Sequence, residues 1–149
     1  MKQLIGVWKL LFITQPNNEP ADTNLTGRII FNDQGYMNAL IRSGAAVPLP
    51  DSVDWDTATD AQIAAITRRI VAYSGQYEVR NESGQLFTHT TLDVSLDPSW
   101  MEEVQVRHAA FSNGTDGKSV LTLIPVENGK LADQSLVWEK LDLPTLTMI

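Results

Sequence analysis

The chain has only two imidazoles, His89 and His108, so histidine-based proton transfer near neutral pH must run through one of them. Asp93, Glu102 and Glu103 lie on or beside the same segments. A carboxylate or imidazole held in an apolar cavity has a perturbed pKa and serves as a general acid or base. His108, His89 and Glu102 are therefore the candidate catalytic groups. Each has a plain structural alternative, as a satisfied structural histidine or a solvated rim carboxylate. Asp51, Asp54 and Asp56 are spaced like calcium ligands but lack the glycine and distal glutamate of an EF-hand loop. No cysteine is present, which excludes disulfides, thiolate metal sites and thiol catalysis. There is no glycine-rich phosphate loop, Gly-x-Ser-x-Gly or zinc motif. Neither a metal nor a cofactor is expected.

The 149 residues carry a net charge of −7. That argues against nucleic acid or an anionic membrane as a partner, since either needs a basic patch. Arg68-Arg69 is the only adjacent basic pair. The opening "MKQLIGVWKLLFIT" is interrupted by Lys9 and has no small-residue cleavage site after it. No apolar run is long enough to span a bilayer. The expectation is a single domain over 1–149, acting in the cytoplasm.

Strand patterns dominate and must position any site. They cover residues 4–13, 26–31, 36–41, 74–79, 85–96, 102–111, 119–126 and 134–141, separated by turns rich in Gly, Asn and Asp. Consecutive strands joined by short turns are antiparallel neighbours. Eight of them close into an up-and-down barrel that has no sheet edge and is wide enough for core side chains or one small ligand. The fold class is thus all-β, an eight-stranded antiparallel barrel with one helix inserted between strands three and four. That helix is read over 57–73, where Ile63, Ile66 and Ile70 make an apolar stripe that needs burial. Thr59 or Asp60 caps its start.

Alternation assigns faces. His108 shares parity with Val104, Val106 and Ala110, an apolar set that points it inward, with Glu102 inward near the strand's start. His89 shares parity with Thr91 and Asp93, opposite Leu86, Leu92, Val94 and Leu96, and is read as outward unless a bulge intervenes. Tyr36, Asn38 and Leu40 share one face of strand three. With Tyr77, Arg107 and Trp138 they supply the aromatic surface and polar anchors that a small-molecule pocket needs.

In order along the chain stand "LIGVWKL", "GYMNA", "IVAYSGQYEV", "HTTLDVSLDPSW", "VQVRHAAF" and "LVWEKL". This ordered set resembles the lipocalin-like domain family of small bacterial and fungal proteins and covers nearly the whole chain. The resemblance implies a calycin-type barrel with a ligand cavity and no single activity. Fungal relatives of such barrels occur beside natural-product biosynthetic genes, where non-redox barrels act as isomerases or cyclases. In such barrels the Gly-x-Trp of the first strand commonly packs against a late arginine, which implies that Trp8 plugs one end rather than lining a ligand cavity, with Arg107 as the partner and Arg28 or Lys140 as alternatives. One departure is the acidic "WMEEVQV", where family members often have a glycine.

Two functions follow as expectations. One is a cofactor-independent isomerase or cyclase acting on a polyketide- or terpenoid-like intermediate in the lumen. The other is a non-catalytic carrier of a small apolar ligand. Apolar residues of the 43–56 loop and the tail offer a surface for a homodimer.

Overall fold

The computed structural model describes residues 2–142 and 146–149. β1 (Gly6–Ile13), β2 (Leu25–Phe31) and β3 (Tyr36–Ser43) run antiparallel. The β2–β3 turn is shaped by Asn32, whose Oδ1 accepts the backbone N–H groups of Gln34 and Tyr36 at 3.0 and 2.9 Å. β4 (Ile70–Glu82) and β5 (Gln85–Ser95) meet at Ser83-Gly84, both with positive φ, as a two-residue hairpin of this twist requires. A 3-10 turn at Pro98–Met101 leads to β6 (Gln105–Asn113), then β7 (Ser119–Glu127). Asn128-Gly129 folds a two-residue ribbon, β8 (Lys130–Leu131), onto β7. β9 (Leu136–Lys140) pairs with both β7 and β1. Since β6 also pairs with β7, strands β1–β7 and β9 close an eight-stranded barrel, as expected from the sequence. Among the described residues, no helix is long and apolar enough to cross a membrane.

The inserted helix is shorter than expected. α1 spans Asp60–Thr67, not 57–73, and buries none of its residues. Its start is a capping box: Thr59 Oγ1 accepts the Gln62 N–H at 3.2 Å and Gln62 Oε1 accepts the Thr59 N–H at 2.9 Å. Ile70 to Tyr73 belong instead to β4, paired with Arg42 to Ala39. The β-branched pair Ile70-Val71 prefers a strand when a partner ladder is available. Ile63, Ile66 and Ile70 therefore do not form one helical stripe.

Inward positions alternate as a barrel demands: Trp8 and Leu10, Ile29 and Phe31, Met37, Ala39 and Ile41, Leu121 and Leu123, and Trp138 are all buried. Burial of each large apolar side chain contributes about 1.5–3 kcal/mol. The near end, where β1 begins and β9 finishes, is shut. Trp8 is wholly buried and donates its indole N–H to the Leu4 carbonyl at 2.9 Å. Lys140 lies over its ring, 5.3 Å from the centroid, and donates to the Gln3 carbonyl at 3.3 Å. Lys140 is thus the basic partner of Trp8. Gly6, at φ +141°, makes room: a Cβ there would sit 2.8 Å from Lys140 Cε.

A register shift between β4 and β5 leaves Asp93 as an extra residue on β5. The β5 backbone then crosses so close to Gly75 that a Cβ would lie 2.1 Å from the Thr91 carbonyl oxygen. The bulge also reverses parity. Val94 and Leu96, read as sharing the face of Leu86 and Leu92, are 65% and 48% exposed.

Replacing Gly75 by alanine should cost about 3 kcal/mol or more through backbone overlap, lowering the melting temperature by about 6–12 °C. Gly6→Ala should cost about 1–3 kcal/mol, because only the glycine conformation is unstrained there. Thermal denaturation of both variants checks this, and an unchanged melting temperature for Gly75→Ala would refute the bulge geometry.

Candidate functional site

The barrel's far end, where β3 ends and β4 begins, differs from the shut end. Ile13, Leu25, Val71, Tyr73, Trp100 and Leu136 pack on the core there but stay only partly buried. Leu25 pairs with Ser43, Val71 with Ile41, Tyr73 with Ser95 and Ile13 with Leu136, which brings them to one rim. The 3-10 turn sets Trp100 over this rim. Asp97 Oδ1 accepts from the Ser99 N–H at 3.0 Å and from its hydroxyl at 2.7 Å, fixing the turn's start. Trp100 meets Tyr73 edge to face, with ring centroids 5.5 Å apart. It lines two clefts at this end. One, of about 440 Å³, lies between the end of α1, the start of β4 and the turn. The other, of about 330 Å³, reaches Gln105, Arg107 and Pro125.

The inner wall beside Trp100 is polar. On β5, Thr88 and Thr90 are 2% and 5% exposed and oppose Arg107 and Gln105 of β6. Ser95 continues the inward set beyond the bulge, and its buried Oγ has no hydrogen-bond partner. Arg107 thus points into the barrel. Its Nη1 donates to the adjacent Val106 carbonyl at 3.1 Å. Burial pushes the Tyr73 phenol above its usual pKa, and the Arg107 charge partly offsets that rise.

The inward parity read for His108 is therefore corrected. Ala109 is the buried residue, paired with Leu86 and Leu123, while His108 stands on the outer face against Phe87, with ring centroids 5.3 Å apart. Its apolar companions Val104 and Val106 lie on that outer face too, and Val104 is 52% exposed. Only at its start does β6 turn polar residues, Gln105 and Arg107, toward the lumen; Ala109 and Phe111 follow on the inward face, and Val106 and His108 face out. His89 also faces out, as its own parity indicated. It pairs with Glu78, and its Nε2 lies 3.7 Å from Glu82. Glu102 is exposed on the rim rather than inward, because β6 begins only at Gln105 and Glu102 ends the 3-10 turn. The three candidate catalytic residues do not converge in the lumen.

The expected ligand-binding residues also divide. Tyr36, Asn38 and Leu40 face outward, with Tyr36 and Leu40 46% and 57% exposed. The buried alternate positions Met37, Ala39 and Ile41 fill the core instead. Tyr77 points inward near the shut end, where its hydroxyl donates to the Asn32 carbonyl at 2.6 Å and its ring meets Phe31 at 5.0 Å. Trp138 is fully buried between Leu10 and Leu121, with its indole N–H unpartnered. Arg107 alone of the set stands at the far end. Tyr73, Trp100, Ser95 and Gln105 lie outside the ligand-binding set read from the sequence, where Tyr73 and Trp100 count only among aromatics that fit a pocket or a core equally. The period-two spacing of Tyr73, Gly75 and Tyr77 was the signal available for the first. Trp55 of the long loop and Leu146, Met148 and Ile149 of the tail are exposed. Among the described residues, no group of three or more His, Asp and Glu is arranged to hold a metal ion.

Tyr73 and Tyr77 both carry raised pKa values, Tyr77 through burial and then the Asp33 carboxylate. Each contribution to stability is fully present below the unfolded value of 10.0 and is lost as pH rises through the higher folded value. Tyr73→Phe should therefore reduce the fall in melting temperature above pH 10 relative to the unmodified chain. Identical alkaline limbs in melts across that range would count against a buried phenol at this site.

A family model described as a lipocalin-like domain matches residues 5–141. A search of curated proteins returns no significant match.

Proposed function

The chain belongs to the lipocalin-like domain family, and from that premise we propose that it binds a small, largely apolar molecule at the far end of its barrel. The observation that carries the reading is the contrast between the ends. Trp8, Leu4 and Lys140 plug one end, beside the partly buried Tyr77, Val79, Leu86 and Phe111, whereas the six partly buried apolar residues of the other end lie over a polar inner wall with no such plug among the described residues. Apolar surface left uncovered beside a few convergent polar groups is the usual make-up of a small-molecule site. Clefts of about 440 and 330 Å³ flanking Trp100 are of the size such sites have. We take the domain to be 1–149 and its place of action to be the cytoplasm, in keeping with a cysteine-free chain.

We favour a binder or carrier over a catalyst. Cofactor-free isomerisation or cyclisation of a polyketide- or terpenoid-like intermediate needs a proton carrier beside the ligand. His89 and His108 lie on the outer face and Glu102 on the exposed rim. A catalytic version of the reading would rest on the Tyr73 phenol, which its raised pKa keeps protonated.

The uncharged fluorophore N-phenyl-1-naphthylamine tests this reading. It should bind saturably, and Trp100→Ala should weaken it about five- to tenfold through loss of the covering ring. Val71→Arg, which places a charged chain at the rim, should abolish binding. His89→Gln and His108→Gln should leave it unchanged. A fluorescence titration with no saturation, or with sensitivity to the histidines and not to Trp100, would sink the proposal.

A further inference from the structure

Two basic side chains take inward positions in the barrel, and their situations differ. Lys140 is committed: it covers Trp8 and donates to the Gln3 carbonyl. Arg107 has no such task. Its one hydrogen bond goes to the carbonyl of the residue before it. Among the described residues, no carboxylate lies within 4.0 Å of its guanidinium. The guanidinium has five donors in a planar fork, and apart from the bond to Val106 they meet solvent at the rim rather than a protein acceptor among the described residues, which leaves the fork free to receive a ligand. The neighbouring inward groups are donors or can serve as donors: the Tyr73 phenol, the buried unpartnered Ser95 hydroxyl and the Gln105 amide. None of them supplies the negative partner that the fork matches.

We infer that the ligand of the far end carries one anionic head, a carboxylate or a group of like charge, which Arg107 receives while its apolar body lies against Trp100 and the ring of partly buried residues. The inference rests on the binding reading above and names the class of molecule bound. Glu102, Glu103 and Glu127 line the same cleft from its exposed lip. Their charges face water and are screened over about 8–10 Å at ordinary ionic strength. They disfavour a head with several charges and leave a single charge, placed against the guanidinium, as the acceptable one.

A matched pair of probes separates this inference from binding in general. 1-Anilinonaphthalene-8-sulfonate and N-phenyl-1-naphthylamine share a ring system and differ by the sulfonate. Arg107→Gln should weaken the sulfonate about tenfold or more, the usual worth of a charge-assisted hydrogen bond, and shift the uncharged probe far less. Arg107→Lys should fall between, because it keeps the charge and loses the fork. Added salt should weaken only the sulfonate. Melting temperature and near-ultraviolet dichroism of each variant establish that the barrel is intact. If Arg107→Gln shifts both probes equally, or neither, while the uncharged probe still binds, the anionic head is refuted and the binding site stands. If neither probe binds the unmodified chain, the binding reading fails and this inference with it.

Discussion

Lys140 lying over Trp8, with Gly6 leaving it the space, is the contact on which the rest of the barrel depends. It adds a side-chain contact to the ladder that joins the first strand to the last, where Trp8 pairs with Lys140. The indole bonds back to Leu4, so the segment before β1 folds across the opening. A ring of eight strands has an interior that side chains can fill. Here the large ones, Trp8, Trp138, Ile29 and Leu121, fill it from the shut end to the middle. Room for a guest in the lumen is therefore left to the opposite end, where a turn draws the ring of Trp100 over the rim.

The second constraint is the bulge at Asp93. Without it, β5 would carry Val94 and Leu96 inward, and the far end would close on apolar packing. With it, both side chains turn to solvent and Ser95 turns in, next to Tyr73. Gly75 is the residue that permits the crossing. One extra residue thus converts an apolar wall into a polar one at the end opposite Trp8. At its start β6 likewise presents Gln105 and Arg107 inward and Val106 and His108 outward, an inversion that a plain core has no reason to adopt.

That inversion explains what could be read from the sequence and what could not. The strands, their antiparallel order and the closed ring were legible because the turn residues fix them: Asn-Asp-Gln-Gly after β2, Ser-Gly after β4 and Asn-Gly after β7. The plug at Trp8 was legible through the family resemblance that Gly6 and Trp8 help to carry, not from their spacing alone. The orientation of His108 was not. Alternation identifies which residues share a face, but only an apolar lumen lets hydrophobicity say which face is inside. Tyr36, Asn38 and Leu40 were displaced for the same reason, since the smaller Ala39 took the inward place between Met37 and Ile41. The helix was overextended because isoleucines three and four apart fit a helix until a strand partner claims the last of them.

The most direct measurement of where the molecule accepts a guest is amide chemical-shift mapping with N-phenyl-1-naphthylamine. The account predicts that the largest perturbations fall on Val71, Tyr73, Ser95, Trp100, Gln105 and Arg107, with Trp8 and Lys140 unmoved. Perturbations centred instead on the outer face of β3, at Tyr36, Asn38 and Leu40, or around His89 and His108, would contradict it.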